Sequence, residues 1–213
     1  MTSVVISSGH GLKIRGASGI LDEVDEARRV VDRAAEILPR LGVDVTVFHD
    51  DVSDDQSENL NRIVDFHNAQ ARDLDVSVHF NAFETTTQPM GTECLFITQE
   101  QLADQMSAAI AGSAGLIDRG GKQRTNLFFL NNTEAPAILI ETCFVDSAPD
   151  ATLYNANFDL ICQAIADTIA RALGATPIEP RPPQAADATV DIQITTTGNV
   201  TVTVNGKPIV VAW

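Results

Sequence analysis

Short apolar runs alternate along this chain with longer stretches of helical period, and that alternation is its strongest constraint. Strands are predicted over 3–7, 43–48 (VDVTVF), 75–80 (DVSVHF), 91–98 (GTECLFIT), 127–130 and 137–144 (AILIETCF). Helices are predicted over 22–41, 57–73, 101–116 and 150–173. Strands separated by helices predict an α/β domain: a doubly wound, mostly parallel sheet flanked by helices on both faces. After Gly174 the pattern changes. ATPIEPRPPQAADAT carries four prolines and reads as an extended linker, and VDIQITTTGNVTVTVNGKPIVVAW then alternates with period two. Gly198-Asn199 and Asn205-Gly206 are hairpin signals, so the tail is predicted to be a three-stranded β-meander. The expected organisation is an α/β domain over 1–174, a proline-rich linker over 175–189 and a small β module over 190–213.

Charge and cysteine content remove several functions. The 14 basic side chains stand against 29 acidic ones, a formal charge of −15, and phosphate binding needs a basic surface, so no nucleic acid partner is expected. No apolar run approaches the ~20 residues of a membrane helix, and no membrane role is expected. The start has no basic flank followed by an apolar segment, so the protein is expected to be made in the cytoplasm without an export signal. Three cysteines with no CxxC spacing predict buried thiols rather than disulfides or a cysteine zinc site.

In open α/β sheets ligands sit beyond the carboxyl ends of the strands. Two histidines fall there: His10, held between glycines after VVISS, and His79, near the end of DVSVHF. The first helix offers a carboxylate. Its apolar stripe is Ala27, Val30, Val31, Ala34, Leu38 and Leu41. At roughly 100° per residue, Glu23 falls within about 20° of the stripe's centre and Glu26 about 80° away. A carboxylate on a buried face is costly unless something pairs with it, although acidic residues also favour a helix N-terminus for its dipole alone. Two imidazoles and one carboxylate with a fourth position open form a catalytic zinc set. Glu141 interrupts an otherwise apolar strand; it reads either as a buried salt-bridge partner or as a general base beside a metal.

These residues resemble a family. His10 in ISSGHG, Glu23 opening the first helix, His79 in SVHFNA and Glu141 in ILIETCFVD are similar to the ordered motifs of the zinc-dependent N-acetylmuramoyl-L-alanine amidases of the type-3 group. The resemblance covers about residues 1–174. It implies a peptidoglycan hydrolase that cleaves the amide between N-acetylmuramic acid and L-alanine, with one Zn2+ held by His10, Glu23 and His79 and with Glu141 as general base. The chain departs from the common pattern in SSGHG, where the family often has Asp-Pro-Gly-His-Gly-Gly, and in DEVDEARRV at the helix start, which leaves Glu23 and Glu26 in competition. The absent leader and the short appended module resemble a phage endolysin, which acts on the wall after release from the host. Alternatives are a zinc peptidase of carboxypeptidase type and a non-catalytic wall-binding module.

Several further residues carry two readings. Asn81 either fixes a loop or bonds substrate. Lys13, Arg15, Arg119, Lys122 and Arg124 either hold stem-peptide carboxylates at the cleft rim or are solvated surface charge. His67 reads as a core histidine, His49 as a weak rival ligand and Cys143 as a packed thiol. The apolar face of the tail (Val190, Ile192, Ile194, Val200, Val202, Val204, Ile209, Val211, Trp213) is expected to bury against a second copy and make a homo-oligomer; wall binding and packing on its own domain are the alternatives.

Overall fold

The structure, a computed structural model, describes residues 2–175, 190–194, 200–204 and 207–209. The chain divides into two units, Met1–Ile178 and Glu179–Trp213.

The first unit is built on a six-stranded sheet. In chain order its elements are β1 (Thr2–Ser8), α1 (Glu23–Ile37), β2 (Val43–Phe48), α2 (Gln56–Asn68), β3 (Leu74–Asn81), β4 (Thr92–Phe96), α3 (Glu100–Ala114), β5 (Asp118–Gln123), α4 (Phe128–Asn132), β6 (Ala137–Phe144), α5 (Ala148–Ala156) and α6 (Phe158–Ala172). The strand order is β2-β1-β3-β6-β4-β5. Neighbours run parallel except at β4–β6, which is antiparallel. The sheet is therefore mixed, with its last two strands reversed.

Alternation along the strands sorts side chains onto two faces. Ile138 and Ile140 of β6 join Val4 and Ile6 of β1 and Val76 and Val78 of β3 in the larger core, which α1, α3 and α6 cover. Ala137 and Leu139 of β6 point the other way, into a smaller core with Ile63 and Val64 of α2 and Phe129 and Leu130 of α4. On β1 and β3 that second face is polar, carrying Ser7, Asp75, Ser77 and His79. His67 of α2 satisfies part of it: its Nδ1 lies 2.8 Å from Asp75 and its Nε2 2.9 Å from Ser7, with all three side chains buried. Serine, histidine and aspartate in a row could act as a nucleophilic triad, but this one is sealed from solvent and ties α2 to the sheet.

Three predicted elements differ and one was missed. The helix predicted over 22–41 ends at Ile37 and continues as a 3-10 turn, Leu38–Leu41, because Pro39 has no N–H to donate. The helix predicted over 150–173 is two helices that break at Asn157, whose side chain bonds back to the Leu153 carbonyl. The strand predicted over 127–130 is the helix α4, held by Asn131 and Asn132 side chains on the Leu127 and Phe128 carbonyls. The strand β5, DRGGKQ, was not predicted at all.

In the second unit, β7 (Val190–Ile194), β8 (Val200–Val204) and β9 (Lys207–Ile209) pair antiparallel in the order β7-β8-β9, the backbone of a meander. The linker from residue 176, both hairpin turns, Val211 and Trp213 lie outside the described residues. Among the described residues no helix is long and apolar enough to cross a membrane.

Candidate functional site

Three elements bring His10, Glu23 and His79 together. His10 follows the end of β1, His79 stands near the end of β3, and Glu23 is the first residue of α1, capped by the Asp22 side chain on the Val24 and Asp25 amides. Glu23 is 3% exposed. Its Oε1 lies 3.0 Å from His79 Nδ1 and 3.4 Å from His10 Nε2. The same carboxylate accepts the Ala17 amide at 2.7 Å and the Phe80 amide at 3.2 Å, so its orientation is fixed from behind. Burial alone would raise its pKa, but the two imidazoles outweigh that and hold it well below the usual carboxylate range. Burial pushes the His79 imidazole down, with Glu23 opposing. Glu26, the alternative on the helix, instead accepts the Tyr154 hydroxyl at 2.7 Å and pairs with Arg29.

Two glycines make room for this cluster. A Cβ on Gly9 would overlap the His79 ring, and one on Gly16, at φ 66°, would overlap Glu23 and His10. Gly9 and Gly11 are not among the glycines with positive φ, so the GHG turn needs its glycines for space rather than for left-handed backbone.

The three donor atoms lie within 4.8 Å of one another. Four-coordinate zinc with bonds of ~2.0–2.1 Å puts neighbouring donors ~3.3 Å apart, and the two distances to Glu23 are 3.0 and 3.4 Å. Two imidazoles and a carboxylate of this spacing can hold one metal ion.

Glu141 is the Cα partner of His79 on one side and of Glu93 on the other, so His79, Glu141 and Glu93 form a row across β3, β6 and β4. Its Oε2 is buried without a hydrogen-bond partner among the described residues. Burial pushes the Glu141 carboxyl well above the usual range; the Glu23 and Glu93 carboxylates add to the shift and the Arg124 guanidinium opposes it. A cleft of about 350 Å3 opens over His10, His79 and Glu141, walled by Asn59, Leu60 and Ile63 of α2 and by the Asn126–Phe129 segment. The α2 wall lies on a predicted helix; the α4 wall was not legible, because its segment read as a strand.

The remaining residues fall as follows. Asn81 donates to Glu93 at 3.1 Å and accepts the Ala82 amide at 2.8 Å. Lys13 is bonded to Asp54, and Arg15 to Asp22 and Asp25; neither lines the cleft. Arg124 is exposed, with only Asn126 on its Nε, and sits close enough to act on Glu141. Arg119 pairs with Glu93. His49 lies between Ser8 and Asp32, away from the cluster. Cys143 is buried and its thiol pKa is raised by burial.

A carboxylate and two histidines at the carboxyl ends of a mixed α/β sheet, with a buried carboxyl beside them, define a class of α/β domains able to hold one metal ion at that end of the sheet. Within that class, the chain belongs to the N-acetylmuramoyl-L-alanine amidase family, whose sequence profile matches residues 4–173. It is 32% identical over 180 residues to the N-acetylmuramoyl-L-alanine amidase LytC of Bacillus subtilis, covering 78% of this chain and 34% of LytC. It is 33% identical over 166 residues to the endolysin of Bacillus phage SPP1, covering 70% of this chain and 57% of that protein. The catalytic domain of the amidase CwlV of Bacillus (Paenibacillus) polymyxa superposes with a TM-score of 0.71 at 28% identity, covering 83% of this chain and all of that domain. The chain spans about half the length, or less, of the first curated relatives that it matches.

Proposed function

We propose that the protein hydrolyses the amide between N-acetylmuramic acid and the L-alanine of the stem peptide in peptidoglycan, with His10, Glu23 and His79 holding one zinc ion and Glu141 carrying the proton. The observation that carries this reading is the Glu23 carboxylate, buried and wedged between two imidazoles at 3.0 and 3.4 Å, beside a second carboxyl whose Oε2 has no partner. A bound zinc ion supplies the Lewis acidity that polarises the scissile carbonyl and acidifies water. Glu141 takes the proton of the attacking water and returns it to the departing amine of L-alanine. The Ala17 and Phe80 amides keep the Glu23 carboxylate aimed at the two rings. Leu60, Ile63, Phe128 and Phe129 line the cleft over Glu141 and shield the reacting groups from bulk water. Asn81 positions the loop after β3, and Arg124 faces the substrate at the cleft rim. The family description and the relative LytC both name N-acetylmuramoyl-L-alanine amidase activity, which supports this reading.

The test is zinc content together with a defined muropeptide digest. The expected result is near one zinc per chain and release of an intact stem peptide that begins with L-alanine. Release of single residues from the peptide's far end would mean a carboxypeptidase. Metal-free protein that leaves purified walls intact would overturn the enzyme reading.

A further inference from the structure

A second hollow lies further along the row His79–Glu141–Glu93, towards the β5 edge of the sheet. It encloses about 320 Å3 between Asn81, Ala82, Phe83, Met90, Arg119 and Phe144. Its walls are fixed. The Phe83 amide donates to the Asp146 carboxylate at 2.8 Å. The Met90 and Phe144 amides both donate to Asp150, which is fully buried. The Phe83 ring itself is 75% exposed, the most exposed large apolar side chain among the described residues. The exposed ring stands at the rim of the hollow, where it can fold over a bound chain.

The charge in this hollow is a guanidinium only partly used. Arg119 lies over the Phe144 ring, 5.1 Å from its centroid. It donates from Nε to Glu93 at 2.7 Å and weakly from Nη1 to the Met90 carbonyl at 3.4 Å. Nη2 has no partner among the described residues, so one edge of the fork stays open. At the same end of the sheet, Lys13, Arg15, Arg28 and Arg62 are each closed by aspartates. In a chain of net charge −15, an acidic ligand needs such a local cation to approach.

We propose that this hollow is a subsite for the acidic stem peptide: the open edge of Arg119 binds a carboxylate within the first three residues beyond the cleaved amide, and Phe83 covers the peptide. The inference rests on the amidase reading and adds the direction in which the peptide runs. Strands stand ~4.8 Å apart, so β5 lies roughly 10 Å from Glu141, the reach of about three extended residues. The sugar side of the substrate carries no free carboxylate, because its lactyl group is the acyl half of the amide. It takes the opposite side, in the cleft against α2.

Steady-state kinetics of the zinc-loaded full chain on matched soluble muramoyl-peptides test this. One pair carries glutamate or its amide at the second residue; the other carries diaminopimelate or lysine at the third. The parent is expected to prefer the carboxylate member of at least one pair. Arg119→Lys keeps a cation against Glu93 but loses the fork; it should raise KM about ten-fold for that member, leave kcat within about two-fold and abolish the preference. Phe83→Ala, which removes an exposed ring, should raise KM for all four. An Arg119→Lys protein that keeps the parent's preference, or a parent that has none, overturns the subsite while the amidase reading stands. A parent that cleaves no muramoyl-L-alanine amide overturns both.

Discussion

Glu141 is a carboxyl that the metal-free fold holds at a cost, and the sign of that cost can be worked out. Its folded pKa is raised above the ordinary 4.5, so the folded state keeps a proton that the unfolded state gives up. The stability linked to that proton is full below pH 4.5 and is lost as the pH rises towards the folded value. Glu141→Gln should therefore raise the melting temperature of the metal-free protein more at pH 8 than at pH 5; an equal rise at both would refute the assignment. The same variant should keep zinc and lose about 10²–10⁴-fold of activity, the usual contribution of a general base. Glu23 and Glu26 separate by metal content: Glu23→Ala should lose zinc and Glu26→Ala should keep it, because Glu26 is spent on Tyr154 and Arg29. Gly9→Ala pushes a methyl into the His79 ring and should weaken zinc binding with all three ligand residues unchanged. Helical phase made Glu23 legible in the sequence. The role of Gly9 was not, because the ring it accommodates is 70 residues away in the chain.

At the scale of elements, legibility followed burial. The strands β1, β2, β3, β4 and β6 and the helices α1, α2 and α3 were readable because an apolar stripe or run marks each of them. The edge strand β5 was not: DRGGKQ has no apolar residue, and its pairing with β4 is set by backbone hydrogen bonds and neighbours rather than by its own propensity. The run LFFL looked like a strand because four apolar residues fit either period; the Asn and Thr side chains that follow bond back to carbonyls and settle it as α4. Since α2 and α4 wall the cleft, the site's floor and its α2 wall could be read and its α4 wall could not. The tie between α2 and the sheet runs through His67, which also meets the Phe129 ring edge-on at 5.0 Å. His67→Leu strands the Ser7 hydroxyl, while Arg72 still bonds both oxygens of Asp75, and should cost about 1–3 kcal/mol in denaturant unfolding. Zinc content should stay unchanged, since no donor atom moves. A variant as stable as the parent would show that α2 is held by its apolar contacts alone.

The whole molecule is two units of unequal self-sufficiency. Residues 4–173 hold the family match and both cores of the sheet. The tail has three short strands, and a sheet of that size needs a covered face to persist in water. Its register pairs Val190 with Val204, Ile192 with Val202, and Ile194 with Val200, so the apolar positions of β7 fall opposite those of β8. The alternate pairs Asp191–Thr203 and Gln193–Thr201 are polar. Two-sided segregation of this kind gives a meander one face to bury. The tail carries few groups that grip sugars, and a second copy of the same meander offers a face of matching chemistry. Self-association would also raise avidity for a polymer that repeats its cleavage site, a gain that needs no new contact with the wall. The full chain is therefore expected to scatter light as an oligomer at micromolar concentration, and the chain truncated after Gly174 as a monomer. The truncated form should keep its activity on soluble muropeptides and lose activity on intact walls at low enzyme concentration. Monomers in both cases would overturn the assembly and leave the tail to be tested as a wall-binding module.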